Sequence, residues 1–154
     1  MSDEKRIPGC CHQAPAAALL RGIEQFNRRE YFECHETLEE LWNVERGPGR
    51  HRYNPPVTSE APGAGCADLH KGILQIGVGC YHLLRHNYHG ATVKLQSGTD
   101  YLERFAPVCK NVEVERLISD ARSLRAALVA LGPHRFQEVD LALLPRVYLV
   151  ADAT

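Results

Sequence analysis

Apolar residues recur three and four positions apart in five successive stretches of this chain, the spacing of helices that each bury one stripe. A first helix is predicted after Pro15, running to about Arg29, with Leu19, Leu20, Ile23 and Phe26 inward. A short join leads to a second helix, to about Glu45, so the two should pack antiparallel. A third, from about Cys66 to His86, is apolar over most of its circumference and is expected at the centre. Asn87 is placed as its closing residue, because asparagine tolerates the left-handed cap. The fourth runs from about Tyr88 to Phe105, with Ala91, Leu95, Leu102 and Phe105 inward, and Pro107 stops it. The fifth runs from about Val112 to Leu131, burying Val114, Leu117, Ile118, Ala121, Leu124 and Leu128, and Gly132-Pro133 ends it. The stretch Leu143 to Val150 is apolar but short and is expected to lie extended across the bundle. No hairpin signal supports a sheet. The fold class is therefore all-α: a single-domain bundle of about five antiparallel helices with repeat-like hairpin packing.

The second helix carries the candidate chemistry. With about 100° of rotation per residue, Tyr31, Cys34, Leu38, Leu41 and Trp42 share one buried arc. His35 falls on its edge. Glu39 follows one turn later, and Glu36 lies further out. Glu33, Thr37 and Glu40 point to solvent. A carboxylate beside His35 favours the imidazolium, whereas burial opposes it. The group could ligate a metal, move a proton or simply hydrogen-bond to a neighbouring helix. On the third helix a narrow polar stripe of Lys71, Gln75, His82 and His86, with Gly79 among them, reads either as a solvent face or as the opposing half of the same site. The candidate polar site is His35, Glu36, Glu39, Gln75 and His82. His70 falls in the apolar sector and reads as a core histidine.

Three segments divide the chain: a flexible leader over residues 1–14, a helical domain over 15–131, and an extended tail over 132–154. The domain contains a Pro/Gly-rich insertion, residues 47–65, which cannot be helical. A variable surface insertion is preferred for it over a lid on His35. A length of 154 residues suits one core, and a net charge of -1 supports neither a nucleic-acid nor a membrane surface. Without a signal peptide or spanning run, the expected location is the cytoplasm. Cys34 and Cys80 fall on apolar faces and read as small hydrophobes. Cys10, Cys11 and His12 offer a minor soft-metal or redox alternative, weakened because no Cys-x-x-Cys pair occurs.

The run Gly22-Ile23-x-x-Phe26-Asn27-x-x-x-Tyr31-Phe32-Glu33-x-His35-Glu36-x-Leu38-Glu39-x-Leu41-Trp42 resembles the DUF309 family of small helical proteins of unknown function. Lys71-Gly72-Ile73-Leu74-Gln75, His82 and Asn87-Tyr88-x-Gly90-Ala91 resemble its second block, so the likeness covers roughly residues 15–106. The Pro/Gly insertion and the extension past the fourth helix depart from the family pattern. The resemblance implies a stack of helical hairpins and brings no activity with it.

Three functions remain. The first is a structural or interaction module with a polar His/Glu rim, its partner another protein or a second copy. The second is a metal-binding protein or metal-dependent acid/base enzyme, with a divalent transition metal as cofactor on His35, Glu36 and Glu39 and His82 completing the set. His35-Glu36-x-x-Glu39 lacks the second histidine of a zincin. The third is a small-ligand-binding regulatory domain.

Overall fold

A helix that is apolar nearly all round must sit where other helices can cover it. In the computed structural model, which describes residues 7–46 and 65–150, that helix is Ala67–Leu84. Five α-helices follow one another: α1 Ala17–Asn27, α2 Tyr31–Arg46, α3 Ala67–Leu84, α4 Tyr88–Leu102 and α5 Val114–Leu131. The central α3 packs against α2 and α4, while α1 packs on α2 and α5 on α4. The molecule is thus a mostly helical bundle of sequential neighbours, as the periodicity implies. All the inward positions expected on α4 and α5 are buried, as are Leu19, Ile23 and Phe26 on α1. Leu20 is a correction: it is 40% exposed, because α1 buries only the arc containing its two neighbours in phase.

Glycines set how closely α3 and α4 approach. A Cβ on Gly98 would stand 2.9 Å from the backbone nitrogen of Ile76 and 3.0 Å from the carbonyl oxygen of Gly72. The two backbones therefore touch, and nothing larger than hydrogen fits between them.

The α3–α4 turn corrects the capping expectation. His86, with φ 62°, takes the left-handed conformation. Asn87 instead caps α4, its Oδ1 accepting the Gly90 N–H at 2.8 Å. At that position its side chain satisfies a helix N–H that would otherwise lack a partner, which a closing role would not do.

A small hairpin, for which the sequence carries no signal, sits beside the helices of this mostly helical fold. Strands β1 Val108–Cys109 and β2 Val112–Glu113 pair antiparallel, Val108 with Glu113 and Cys109 with Val112. Lys110 and Asn111 both have positive φ, 51° and 67°, as a two-residue hairpin turn requires. The turn lacks the glycine that usually advertises it, so the sequence did not reveal it.

Both outer stretches of the described chain dock on this hairpin. Residues Gly9–His12 form a 3₁₀ turn, and disulfides join Cys10 to Cys66 and Cys11 to Cys109. The Lys110 N–H donates to the Cys11 carbonyl at 2.7 Å. The expected flexible leader is thus pinned over 9–12, and its first six residues lie outside the described ones. The tail is not extended from 132, since Phe136–Glu138 and Leu141–Leu143 form 3₁₀ turns, but it runs extended beyond them with Val147 buried; the Glu113 N–H donates to the Tyr148 carbonyl at 2.9 Å and the Val150 N–H to that of Asn111 at 2.7 Å. Asn27 holds Val147 on both sides, donating to its carbonyl at 3.0 Å and accepting its N–H at 2.8 Å. Residues 47–64 of the insertion, with the lid alternative, and the last four residues of the tail also lie outside the described residues. No described helix is long and apolar enough to cross a membrane.

Candidate functional site

On α2 the predicted phase is observed. Tyr31, Cys34, Leu38 and Trp42 are buried, while Leu41 is partly so. That leaves His35 on the rim, its Nε2 3.4 Å from Glu39 Oε1, with side chains 40% and 36% exposed. Water screens such a pair, and an i,i+4 contact of this kind stabilises a helix by only a few tenths of a kcal/mol, about 0.3–0.5. Glu36 is exposed one turn from Phe32, and Phe32 is itself 55% exposed.

Gln75 and His82 have other partners. Gln75 is buried, and its Oε1 accepts from Ser97 Oγ on α4 at 2.5 Å. His82 packs where a Cβ on Gly90 would meet its ring, and its Nδ1 lies 3.4 Å from Asn87 Nδ2. Partial burial, with Lys94 nearby, lowers its pKa. Gly72 and Gly79 share this side of α3, facing Leu102 and Leu95 of α4. Gly77, on the other side, faces Phe26 and Tyr31. The structure therefore brings His35 and Glu39 together, while Gln75 and His82 belong to the seam with α4. The stripe that reads as a solvent face in the sequence is partly a helix–helix contact, because its glycines let α4 close over it.

A second polar group was not singled out from sequence. Trp42 Nε1 donates to Asp68 Oδ1 at 3.2 Å, and Lys71 Nζ lies 4.3 Å from the centre of the Trp42 ring. His70, 1% exposed, has Nδ1 3.3 Å from the Glu45 carboxylate without the alignment of a hydrogen bond. Burial, helped by Lys110, pushes His70 down to about 4, so it is neutral near pH 7. Burial also raises Glu45, against the attraction of Lys110. The one sequence hint was Asp68, an acid opening an otherwise apolar helix. Of the Cys10, Cys11 and His12 group, the two cysteines pair with distant Cys66 and Cys109, while His12 is exposed.

The hairpin that presents His35 is also what the chain shares with known proteins. The family model of DUF309, a domain of unknown function, matches residues 19–55. Most of the α1–α2 hairpin falls within the stretch similar to DUF309. His35, Glu36 and Glu39 fall within the DUF309 match, whereas Gln75 and His82 fall outside it. The Uncharacterized protein YpuF of Bacillus subtilis (strain 168) is 34% identical over 77 residues, 50% of this chain and 35% of that protein. The chain thus spans little more than a third of that relative's length. No solved structure matches it.

Proposed function

We propose that this helical domain is an interaction module whose contact face is the outer side of α2, and that its partner is a basic amphipathic helix. The observation that carries the reading is Phe32, a phenyl ring 55% exposed on a helix that buries Tyr31, Cys34, Leu38 and Trp42 and leaves Val44 exposed near its end. Glu33, Glu36 and Glu40 are exposed around it, and the His35–Glu39 pair adjoins it. An exposed aromatic anchor ringed by carboxylates complements a helix that offers leucine flanked by lysine or arginine. The metal reading on His35, Glu36 and Glu39 lacks its fourth member at this face, since His82 is engaged on the α4 seam. Of the three that remain, His35 and Glu39 are the pair that meets, and two converging donors fall short of the three or four protein ligands of a zinc site. A cytoplasmic setting belongs to the same proposal.

The test uses an amphipathic leucine–lysine peptide titrated into the protein and followed by amide chemical shifts. Saturable shifts along α2, weakened about tenfold by Phe32→Ala and reduced by salt, are expected. Shifts elsewhere, or equal binding by the variant, would overturn the proposal. So would self-association by sedimentation that Phe32→Ala abolishes, because the face would then belong to a second copy.

A further inference from the structure

Four cysteines from three remote parts of the chain meet at one pole of the bundle, independently of the α2 face. Cys10 and Cys11 come from the first described turn, Cys66 precedes α3, and Cys109 ends β1. The two disulfides do not lie apart. Cys66 Sγ is 3.5 Å from Cys109 Sγ and 3.7 Å from Cys11 Sγ, across from one disulfide to the other. The sulfurs of Cys11, Cys66 and Cys109 all lie within 4.8 Å of one another, and all three residues are buried. Two disulfides that served only as staples would have no need to share one volume. Three buried sulfurs that meet from separate segments, with the Cys10 sulfur bonded to one of them, are the donors a thiolate-liganded ion requires. With Zn–S bonds of about 2.3 Å, the edge of a ZnS₄ tetrahedron is about 3.8 Å, close to both cross-distances.

We propose that the reduced protein binds one soft divalent cation, of which zinc is the type, through Cys10, Cys11, Cys66 and Cys109, and that metal binding and disulfide formation exclude each other. The bookkeeping closes. Two molecules of a dithiol reductant deliver four electrons and four protons, breaking both S–S bonds and leaving four thiols and two molecules of oxidised reductant. The cation then displaces the four thiol protons to solvent, forming four metal–sulfur bonds and a centre of net charge two minus. Oxidation by a disulfide-forming oxidant such as a diazenedicarboxamide reverses this, with release of the ion. Lys110, buried directly after Cys109, is tied through its N–H to the Cys11 carbonyl, and its Nζ lies 3.4 Å from Gln13 Oε1. A cysteine pair at the start of the chain and two singletons far downstream hide such a site from any spacing motif, since sequence separations are 56 and 98.

The experiment is a cobalt titration of fully reduced, metal-free protein, followed by zinc. Expected are one equivalent of Co²⁺ with intense thiolate-to-metal charge-transfer absorption, its displacement by one equivalent of Zn²⁺, and release of that zinc when the oxidant is added. Absence of the charge-transfer band in reduced wild-type protein overturns the proposal without recourse to any variant. Cys66→Ser and Cys109→Ser, checked for folding by circular dichroism, should each weaken cobalt binding at least a hundredfold. Should they not fold, Cys10→Ser serves, since Cys10 is only partly buried; it should retain the band but bind at least tenfold more weakly. A band unchanged in every folded variant places the metal elsewhere and is equally fatal.

Discussion

The outer face of α2 and the pole where the hairpin lies are opposites. The first is built from one continuous helix, half exposed, with each side chain's direction set by its position in the turn. The second is built from residues 9–12, 65–66, 108–113 and 147–150, brought together only by the finished fold. Motifs advertise themselves when their members lie on one element. Sites assembled from distant segments are silent in sequence, even when they are better buried. The first region should tolerate change and reveal itself through binding, whereas the second should be costly to change and reveal itself through stability.

Experiments can break that contrast, beginning with the largest effect. Trp42→Ala, removing a ring 5% exposed and the bond to Asp68, should cost about 3–5 kcal/mol in urea denaturation. A cost below about 1 kcal/mol would show that this inward side of α2 is as tolerant as its outer side. At the pole, Cys109→Ser in the oxidised protein should cost about 2–5 kcal/mol, since it removes a cross-link closing a long loop. Equal melting temperatures for variant and wild type would remove the distinction between the two regions.

Acid should act through the polar group near the pole. His70 titrates at about 4 in the fold, against 6.5 for the free group. Above pH 6.5 neither state is protonated there and stability does not change through this group. Between 6.5 and 4 the unfolded chain takes up the proton and the fold does not, so stability falls with pH, by about 3 kcal/mol in all at roughly 1.4 per unit. Glu45, whose pKa is raised, works the other way and offsets part of the loss. His70→Gln should flatten the profile between pH 7 and 5, and an unchanged slope in that variant would assign the effect elsewhere. Smallest of all, His35→Ala and Glu40→Ala should each stay within about 0.5 kcal/mol. A larger cost for His35→Ala would mean that the rim is structural.

Helix positions were largely legible because five amphipathic or wholly apolar stretches are separated by Asn87, Pro107 and the glycine-rich insertion. The inward residues of α4 and α5 could be read directly from their period. What could not be read depends on contacts between elements. Gln75 looks like a solvent-facing residue until Ser97 is seen against it. Asn87 looks like a helix stop until its side chain is seen bonding forward to Gly90. The Lys110–Asn111 turn carries no glycine, and Cys66 and Cys109 acquire meaning only through Cys10 and Cys11. For the candidate site, the His35–Glu39 pair was legible because both members sit on one helix.

Lys110 and Asn111 are consecutive, yet one binds the first described stretch through Cys11 and the other the last through Val150. This has a kinetic consequence. Once the disulfides are reduced, neither attachment can form until the intervening helices have brought the turn to the right place, since the loop-closure entropy falls due before the bonds repay it; in the oxidised chain the Cys11–Cys109 disulfide already holds the first. Docking of the two outer stretches is then a late event in folding, and their joint release an early one in unfolding. Substitutions in this two-residue turn should accordingly speed unfolding far more than they slow folding.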